Sequence, residues 1–299
     1  MDLLLQALQQ LPEFRQLLDT VQSGGAAAAT GLAQINRAHV IAGLYDLGDR
    51  PLAVICQDDL AAKRLQGELK AFLGQEPPVL PGRDLNLYDA AVVSRVWEQR
   101  RLRQLYDLGK GQTRLQIFSW ESMSLRTMPK SALFAAAFQL RLGVQVSVEE
   151  LLARLVAMGY SRAPMVEGPG QFALRGGILD LFSPAEGQPV RVEFFGDELD
   201  TMGYFDPNTQ RRTENVEEIT VLPVAESQPG LHPGGIPGLQ RDLQALLARQ
   251  KRRKNQNERL IRTLEQDLER LENGVSLPAP DRYMALIAPE MTTALDYVP

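Results

Sequence analysis

The sequence predicts an α/β chain in which a parallel sheet covered by helices frames an inserted α+β domain of antiparallel strands. Two observations carry this. Between residues 31 and 118, helical periodicities alternate with the short apolar runs Leu52 to Cys56 and Leu115 to Phe118, the order that parallel strands with helical crossovers require. Between Phe172 and Leu222, short apolar runs are separated by Gly, Pro, Asp and Asn, which supply turn geometry between successive antiparallel strands. The 299 residues suffice for about two domains with their own cores, and 44% hydrophobic with 23% charged residues is the composition of an ordinary soluble globular protein.

Leu3, Leu4, Ala7, Leu8, Leu11, Phe14, Leu17 and Leu18 recur at helical spacing and predict one amphipathic helix over residues 2 to 20. Its acidic, Gln-interrupted start does not read as an export signal. No run approaches the roughly 20 apolar residues that cross a bilayer, and a cytoplasmic setting with no membrane is expected. The single Cys56 cannot form an internal disulfide; it suits a reducing compartment and a core-filling role.

Ser23 to Gly31 reads as a small-residue loop leading to a strand end. Gly31 to Ala38 then occupies the place of a phosphate-binding loop, ahead of a helix from about Ala38 to Leu47 and the strand Leu52 to Cys56. Such a loop needs a second glycine for close backbone approach, a Lys for the terminal phosphates and a hydroxyl for magnesium. Those positions hold Asn36, Arg37 and Ala38. The strand Leu115 to Phe118 ends in Ser119-Trp120-Glu121-Ser122 rather than an acidic pair that could hold the metal. The reading is a degenerate, inactive P-loop beginning at Gly31, with no ATP hydrolysis.

Asp58-Asp59 should cap a helix running through Phe72 and Leu73. Pro77 to Gly82 reads as extended, and Ala91 to Leu108 as a helix with Val92, Val96, Leu102 and Leu105 on its apolar side. Trp97 and Trp120 are expected in the core. The pattern changes between Met128 and Val146, giving a first domain segment of 1–130 and an inserted domain of 131–224. Ser147-Val148-Glu149-Glu150 fits a capping box, opening a helix whose Leu151, Leu152, Leu155 and Val156 face inward and which ends at Gly159. Ser227 to Gly238 has the Gly and Pro content of a linker. Residues 225–299 then read as that linker, a helical stretch over 239 to 273 with a basic middle at Lys251 to Lys254, a strand at Tyr283 to Ile287, and the start of a further strand at the cut edge of a longer protein. The basic middle reads as a solvated helix face before a nucleic-acid contact.

Within Arg191-Val192-Glu193-Phe194-Phe195 the period of two puts Val192 and Phe194 on the core face, and Arg191, Glu193 and Phe195 on the outer one. A large aromatic between charges on an outer face is the composition of a contact patch. The run Arg175-Gly176-Gly177-Ile178-Leu179-Asp180-Leu181-Phe182, followed by this strand and by Phe205-Asp206-Pro207, resembles the module shared by the excision-repair protein UvrB and the bacterial transcription-repair coupling factors (Mfd). The missing P-loop residues and the flanking segments are more similar to the coupling factors.

That resemblance implies a helicase-like parallel-sheet domain in two chain segments, its nucleotide site lost, framing a domain like the second domain of UvrB. It implies a non-catalytic recruitment module that binds UvrA through Arg175, Arg191 and Phe195, with Glu193 beside them and Arg162 as an extension. RNA polymerase and double-stranded DNA would be engaged by parts of a longer protein, an ATP-dependent translocase. The plain reading of Arg175 is a surface cation paired with Asp180 or Glu193. UvrB-like sequences often carry a second Arg two residues before the Arg-Gly, where this chain has Ala173. The competing function class is a nucleotide-dependent, damage-binding DNA protein of the UvrB type, which needs a nucleotide site and a basic, aromatic-lined channel. The net charge of −5 supplies no general attraction for nucleic acid. His39 and His232 lack partners at ligand spacing, so no metal is expected. No cofactor and no catalytic residue are expected either.

Overall fold

The computed structural model describes residues 3–82, 95–290 and 292–299. The chain is mixed α/β with both parallel and antiparallel sheets. It divides into two compact units: Met1–Gly82, Gln104–Leu125 and Ala294–Pro299 form one, Arg83–Arg103 and Arg126–Thr293 the other. Among the described residues no helix is long and apolar enough to cross a membrane.

The first unit opens with two helices, not one: α1 (Leu3–Gln9) and α2 (Pro12–Gln22). Pro12 stands at the first position of α2 and Leu11 before it is extended, because the proline ring excludes helical backbone from the preceding residue. Helix α3 (Gln34–Leu47) begins four residues ahead of its expected start, and no described strand precedes it. The chain continues through β1 (Leu52–Cys56) and α4 (Asp59–Leu73), whose N-terminus Asp58 caps by accepting the Ala61 N–H at 2.7 Å. Helix α5 (Arg95–Gly109), counted with the second unit up to Arg103 and with the first from Gln104, has Leu102 and Leu105 fully buried but Val96 exposed; the expected onset at Ala91 and Val92 lies outside the described residues. Strand β2 (Leu115–Ser119) leads into α6 (Trp120–Ser124), started by a reciprocal Ser119–Ser122 cap.

β1 and β2 pair in parallel from Leu52↔Leu115 to Cys56↔Ser119, and Val79 adds a parallel bridge to Ile117. α3 and α4 pack on this sheet through Ala38, Ala42, Ala62 and Leu69, with Cys56 partly buried among them. Burial, with Asp58 nearby, pushes the Cys56 thiol up from its ordinary value. Both tryptophans depart from expectation and are exposed. Trp120 sits in the first turn of α6, and the Trp97 ring is covered by the Arg100 guanidinium at 5.2 Å rather than by core side chains. The last residues, Ala294–Tyr297, form a 3-10 turn where a strand was expected, with Tyr297 buried.

The second unit comprises α7 (Lys130–Ala136), β3 (Phe138–Arg141), α8 (Val148–Ala157), β4 (Ser161–Arg162), β5 (Gln171–Arg175), β6 (Ile178–Leu181), β7 (Val190–Phe195), β8 (Glu198–Phe205), β9 (Arg212–Asn215), β10 (Glu218–Val221), α9 (Gly235–Lys251), α10 (Glu258–Glu272) and α11 (Met284–Ile287). Strands β4 to β9 form one six-stranded sheet in chain order, antiparallel from β5 onward, and β10 pairs separately with β3. The meander is therefore present as expected. Its inner face, with Phe172, Leu179, Leu181, Val190, Val192 and Met202, packs against Leu151 and Leu155 of α8. The Ser147 side chain caps α8 on Glu150 N–H. Val156 is exposed and Leu152 only partly buried, since a ten-residue helix on a sheet needs one apolar stripe, and Leu151 with Leu155 already fills it.

The segment after Pro223 is not a loose linker. Val224 to Ser227 are buried, and α9 starts at Gly235, because Pro237 fits a first helical turn, where no N–H is required. The long helical stretch is broken into α9 and α10, which pack together through Leu239, Leu243, Leu264 and Leu268 and are joined by the Lys251–Glu265 ion pair at 2.6 Å. Arg252 to Asn257 offer nothing apolar to bury, and Asn257 caps α10 by accepting the Leu260 N–H. The strand expected at Tyr283 to Ile287 is helical: a 3-10 turn from Pro280 runs into α11. Tyr283 donates to Asp267 at 2.6 Å, which fixes the turn on α10.

Candidate protein-docking surface

The outer face of the antiparallel sheet is where the residues singled out in the sequence meet. Two hairpins end side by side. β5 and β6 are joined by Gly176-Gly177, with Arg175 opposite Ile178 and Gly176 at φ 61°, a backbone only glycine enters without cost. β7 and β8 are joined by Gly196-Asp197, with Phe195 opposite Glu198 and Gly196 at φ 65°. The tips are tied together by the Phe194 N–H donating to Gly177 O at 2.8 Å. A β-carbon on Gly177 would lie 3.2 Å from the Phe194 carbonyl oxygen, so the approach needs a residue without one.

Register then decides which side chains share the face. Arg175 pairs with Ile178, Ile178 with Glu193, and two residues along Asp180 pairs with Arg191. Directly paired residues point the same way. The ladder is interrupted between Glu193 and Phe194, and beyond that bulge Phe194 still packs against the core while Phe195 is 81% exposed. The extra residue, Asp200, lies on β8, so the alternation along β7 runs on unbroken and carries Phe195 outward. The tip therefore presents Phe195, Ile178, Glu193 and Arg175.

The electrostatic centre is Asp180, whose side chain is 1% exposed. Its Oδ1 accepts Arg191 Nε–H at 2.7 Å, and its Oδ2 accepts Arg191 Nη2 at 3.0 Å and Arg175 Nη2 at 2.5 Å. Arg191 also donates to the Gln210 carbonyl and side-chain oxygens, both at 3.3 Å, and lies over the Phe205 ring at 4.7 Å. The hydrogen bond to Asp180 raises the Arg191 pKa against the opposing pull of burial. Gln210 holds φ 60° in the β8–β9 turn, its N–H bound to Asp206 O at 2.7 Å. The Asp206 carboxyl is held below its ordinary value by the backbone N–H groups of Thr209 and Asn208. A small apolar cluster of Val166, Ala173 and Phe205 underlies this side. Ala173, where UvrB-like sequences often have Arg, is buried.

Arg175, Arg191, Glu193 and Phe195 are thus brought together, and the expected Arg175–Asp180 pairing is present. Arg162 is not near them. It lies on edge strand β4 opposite Phe172, a core-facing row, and Phe172 is three residues, or about 10 Å, from Arg175 along β5. Sequence reading missed Asp180 as a shared counter-ion, and missed Gln210 and the Phe205 ring as contacts of Arg191. The signal for Asp180 was an acid inside the apolar run Ile178-Leu179-Asp180-Leu181, since acids are almost never buried unless paired.

In the first unit, Gly31 has φ 74°, and Asn36, Arg37 and Ala38 lie within the first turns of α3. Asn36 and Arg37 are exposed, whereas Ala38 is fully buried in the core. The Ala38 methyl group packs inward from α3. Among the described residues no group of three or more His, Cys, Asp and Glu could hold a metal ion. His39 bonds Leu4 O and stacks on Phe72, and His232 pairs with Asp242.

Residues 138–226 match the family model of the UvrB interaction domain. A transcription-repair-coupling factor of Myxococcus xanthus is 34% identical over 222 residues, covering 71% of this chain and 18% of that protein. Those of Staphylococcus aureus strains USA300 and Mu50 are 31% and 30% identical over 212 residues, with the same coverage. The chain thus spans 18% of the length of the curated relatives it matches. With the six-stranded sheet and both hairpin tips inside the matched segment, residues 138–226 belong to the UvrB interaction domain family, in a chain homologous to the transcription-repair-coupling factors.

Proposed function

We propose that this chain is the recruitment region of a transcription-repair coupling factor, and that its antiparallel sheet docks UvrA. The carrying observation is the clustering of Arg175, Glu193 and the 81% exposed Phe195 at two adjacent hairpin tips, with Arg191 two residues behind Glu193 on the same face, within a UvrB interaction domain. Arg and aromatic side chains on a firm backbone are the types that most often dominate protein interfaces. Arg162, set apart on β4 opposite Phe172, is left out of this surface.

In this reading residues 131–224 are the docking domain, inserted in a degenerate helicase-like, ATPase-like domain contributed by 1–130 and 225–299. That division concerns fold ancestry; by contacts, Arg126–Thr293 groups with the sheet. The region does no catalysis, and it works in the cytoplasm. Buried Ala38 and the exposed Asn36-Arg37 pair support a lost nucleotide site. RNA polymerase and double-stranded DNA are engaged by the rest of a longer protein.

Titrating UvrA with wild type, Arg175→Ala and Phe195→Ala tests the docking surface. Each substitution is expected to cost about 2 kcal/mol of binding, a typical hot-spot loss. Unchanged affinity in both variants removes the surface. Magnesium-dependent ATP binding by the isolated chain would instead favour a UvrB-type, nucleotide-dependent DNA protein.

A further inference from the structure

We infer that Asp180 is the positioning residue of the docking surface: a buried carboxylate that touches no partner but sets Arg175 for one. The inference rests on the docking reading above. Asp180 is sealed under two guanidiniums of unequal freedom. Arg191, with a side chain 20% exposed, directs four of its five N–H groups into the protein, two to Asp180 and two to Gln210. Arg175 is 51% exposed and directs one, to Asp180 Oδ2. Arg191 is therefore a brace, and Arg175 is the cation with donors to spare.

Charge points the same way. One carboxylate neutralises one of two guanidiniums, so the group keeps a net positive charge, and the half-exposed Arg175 is where solvent and a partner meet it. The nearest acid on the same face, Glu193, faces Arg212 at 4.0 Å. The chemistry that completes Arg175 is a partner carboxylate, taken by the N–H groups that Asp180 leaves free. Beside it Phe195 and Ile178 supply the apolar contact. Without the charge on Asp180, Arg175 and Arg191 would repel, and Arg175 would lose its fixed end.

A double-mutant cycle of Asp180→Asn with Arg175→Ala, read by UvrA affinity, tests this. Asp180→Asn alone is expected to weaken binding about tenfold or more, and to add nothing once Arg175 is Ala. In the free protein, the side-chain Nη–H resonances of Arg175 should lose their dispersion and exchange faster in Asp180→Asn, a change that lost stability elsewhere would not produce. Wild-type affinity in folded Asp180→Asn, or fully additive losses, overturns the inference. If Asp180→Asn does not fold, Asp180→Glu, which keeps the charge but displaces the carboxylate from Arg175, replaces it in the cycle, with the same non-additivity expected and additivity again overturning the proposal. Should wild type itself not bind UvrA, the docking reading fails, while the resonance measurement still decides whether Asp180 orders Arg175.

Discussion

Two buried carboxylates in the second unit are each paired with arginine, and they serve opposite ends. Glu226 meets Arg101 Nε at 2.9 Å with both side chains at most 1% exposed. Around them Arg101 donates to Thr127 Oγ1 at 2.6 Å, Glu98 accepts the Glu226 N–H at 2.6 Å, and Thr127 and Thr292 exchange bonds. This network is sealed at the ion pair itself, and within the second unit it links Glu98 and Arg101 to Thr127, Glu226 and Thr292. Asp180 is as deeply buried, but its network opens outward through Arg175. The same pair of groups is a structural lock where both ends are sealed and a recognition device where one end reaches water. Burial of the acid alone does not distinguish them; exposure of the cation does.

The sharpest way to break this contrast is to remove one member of each network. Arg101→Ala leaves Glu226 charged and buried, and is expected to cost about 3–5 kcal/mol of stability, read as a lowered denaturation midpoint. Replacing both partners with apolar residues of similar volume should recover much of that loss, because a buried pair returns little beyond its desolvation cost. Arg175→Ala should change stability by no more than about 0.5 kcal/mol, since an exposed ion pair contributes little. A large stability loss in Arg175→Ala would make the two networks equivalent and erase the distinction.

Next in size is the hairpin tip. Gly177→Ala forces a β-carbon against the Phe194 carbonyl at 3.2 Å, beside the β7–β8 bulge and one residue from Phe195. Gly176→Ala places a side chain at φ 61°, which costs about 1–2 kcal/mol in left-handed backbone. Both should lower stability by a similar small amount. Only Gly177→Ala should also weaken docking beyond its stability effect, because it shifts the bulge and not just the turn. Equal losses of docking in the two would show that the tip acts as one unit.

How much of this was legible follows from which interactions are local. Turn residues at close spacing fixed the meander, and the alternation in Arg191 to Phe195 found the outer face, because both are read within a few residues of chain. Asp58 and Ser147 were legible as caps for the same reason. The Asp180 network was not, since it depends on Asp180↔Arg191 and Arg175↔Ile178 register, set by the lengths of turns rather than by the strands themselves. Tyr283 to Ile287 looked like a strand from its apolar content, but the Tyr283–Asp267 bond and Pro280 settle its backbone, and neither is visible in the run. The one-helix reading of 239 to 273 failed where it ignored that a stretch without an apolar side has nothing to hold it in line.

The smallest expected effect concerns an acid whose partner is neutral. Tyr204 donates to Glu186 Oε2 at 2.6 Å, and Glu186 Oε1 accepts the Thr220 N–H at 3.0 Å, joining β8 to β10. Desolvation first, then the hydrogen bond and charge of Glu186, push the Tyr204 phenol up to about 12. The folded state therefore favours the protonated phenol more than the unfolded chain does. Stability from this contact is complete below the ordinary phenol value of 10.0 and is lost as pH rises through the folded one of about 12. The phenols of Tyr160 and Tyr283 are raised too, each chiefly by burial, so the wild-type alkaline transition sums all three. Tyr204→Phe isolates its share: the variant should lose a little stability near neutral pH and show a correspondingly flatter decline above pH 10, by chemical denaturation across that range. Here neither partner is a cation, so salt should leave the Tyr204 contribution unchanged while it screens the half-exposed Arg175–Asp180 pair. A Tyr204 contribution that fell with salt as steeply as Arg175's would place both contacts in the same electrostatic class and undo the ordering argued above.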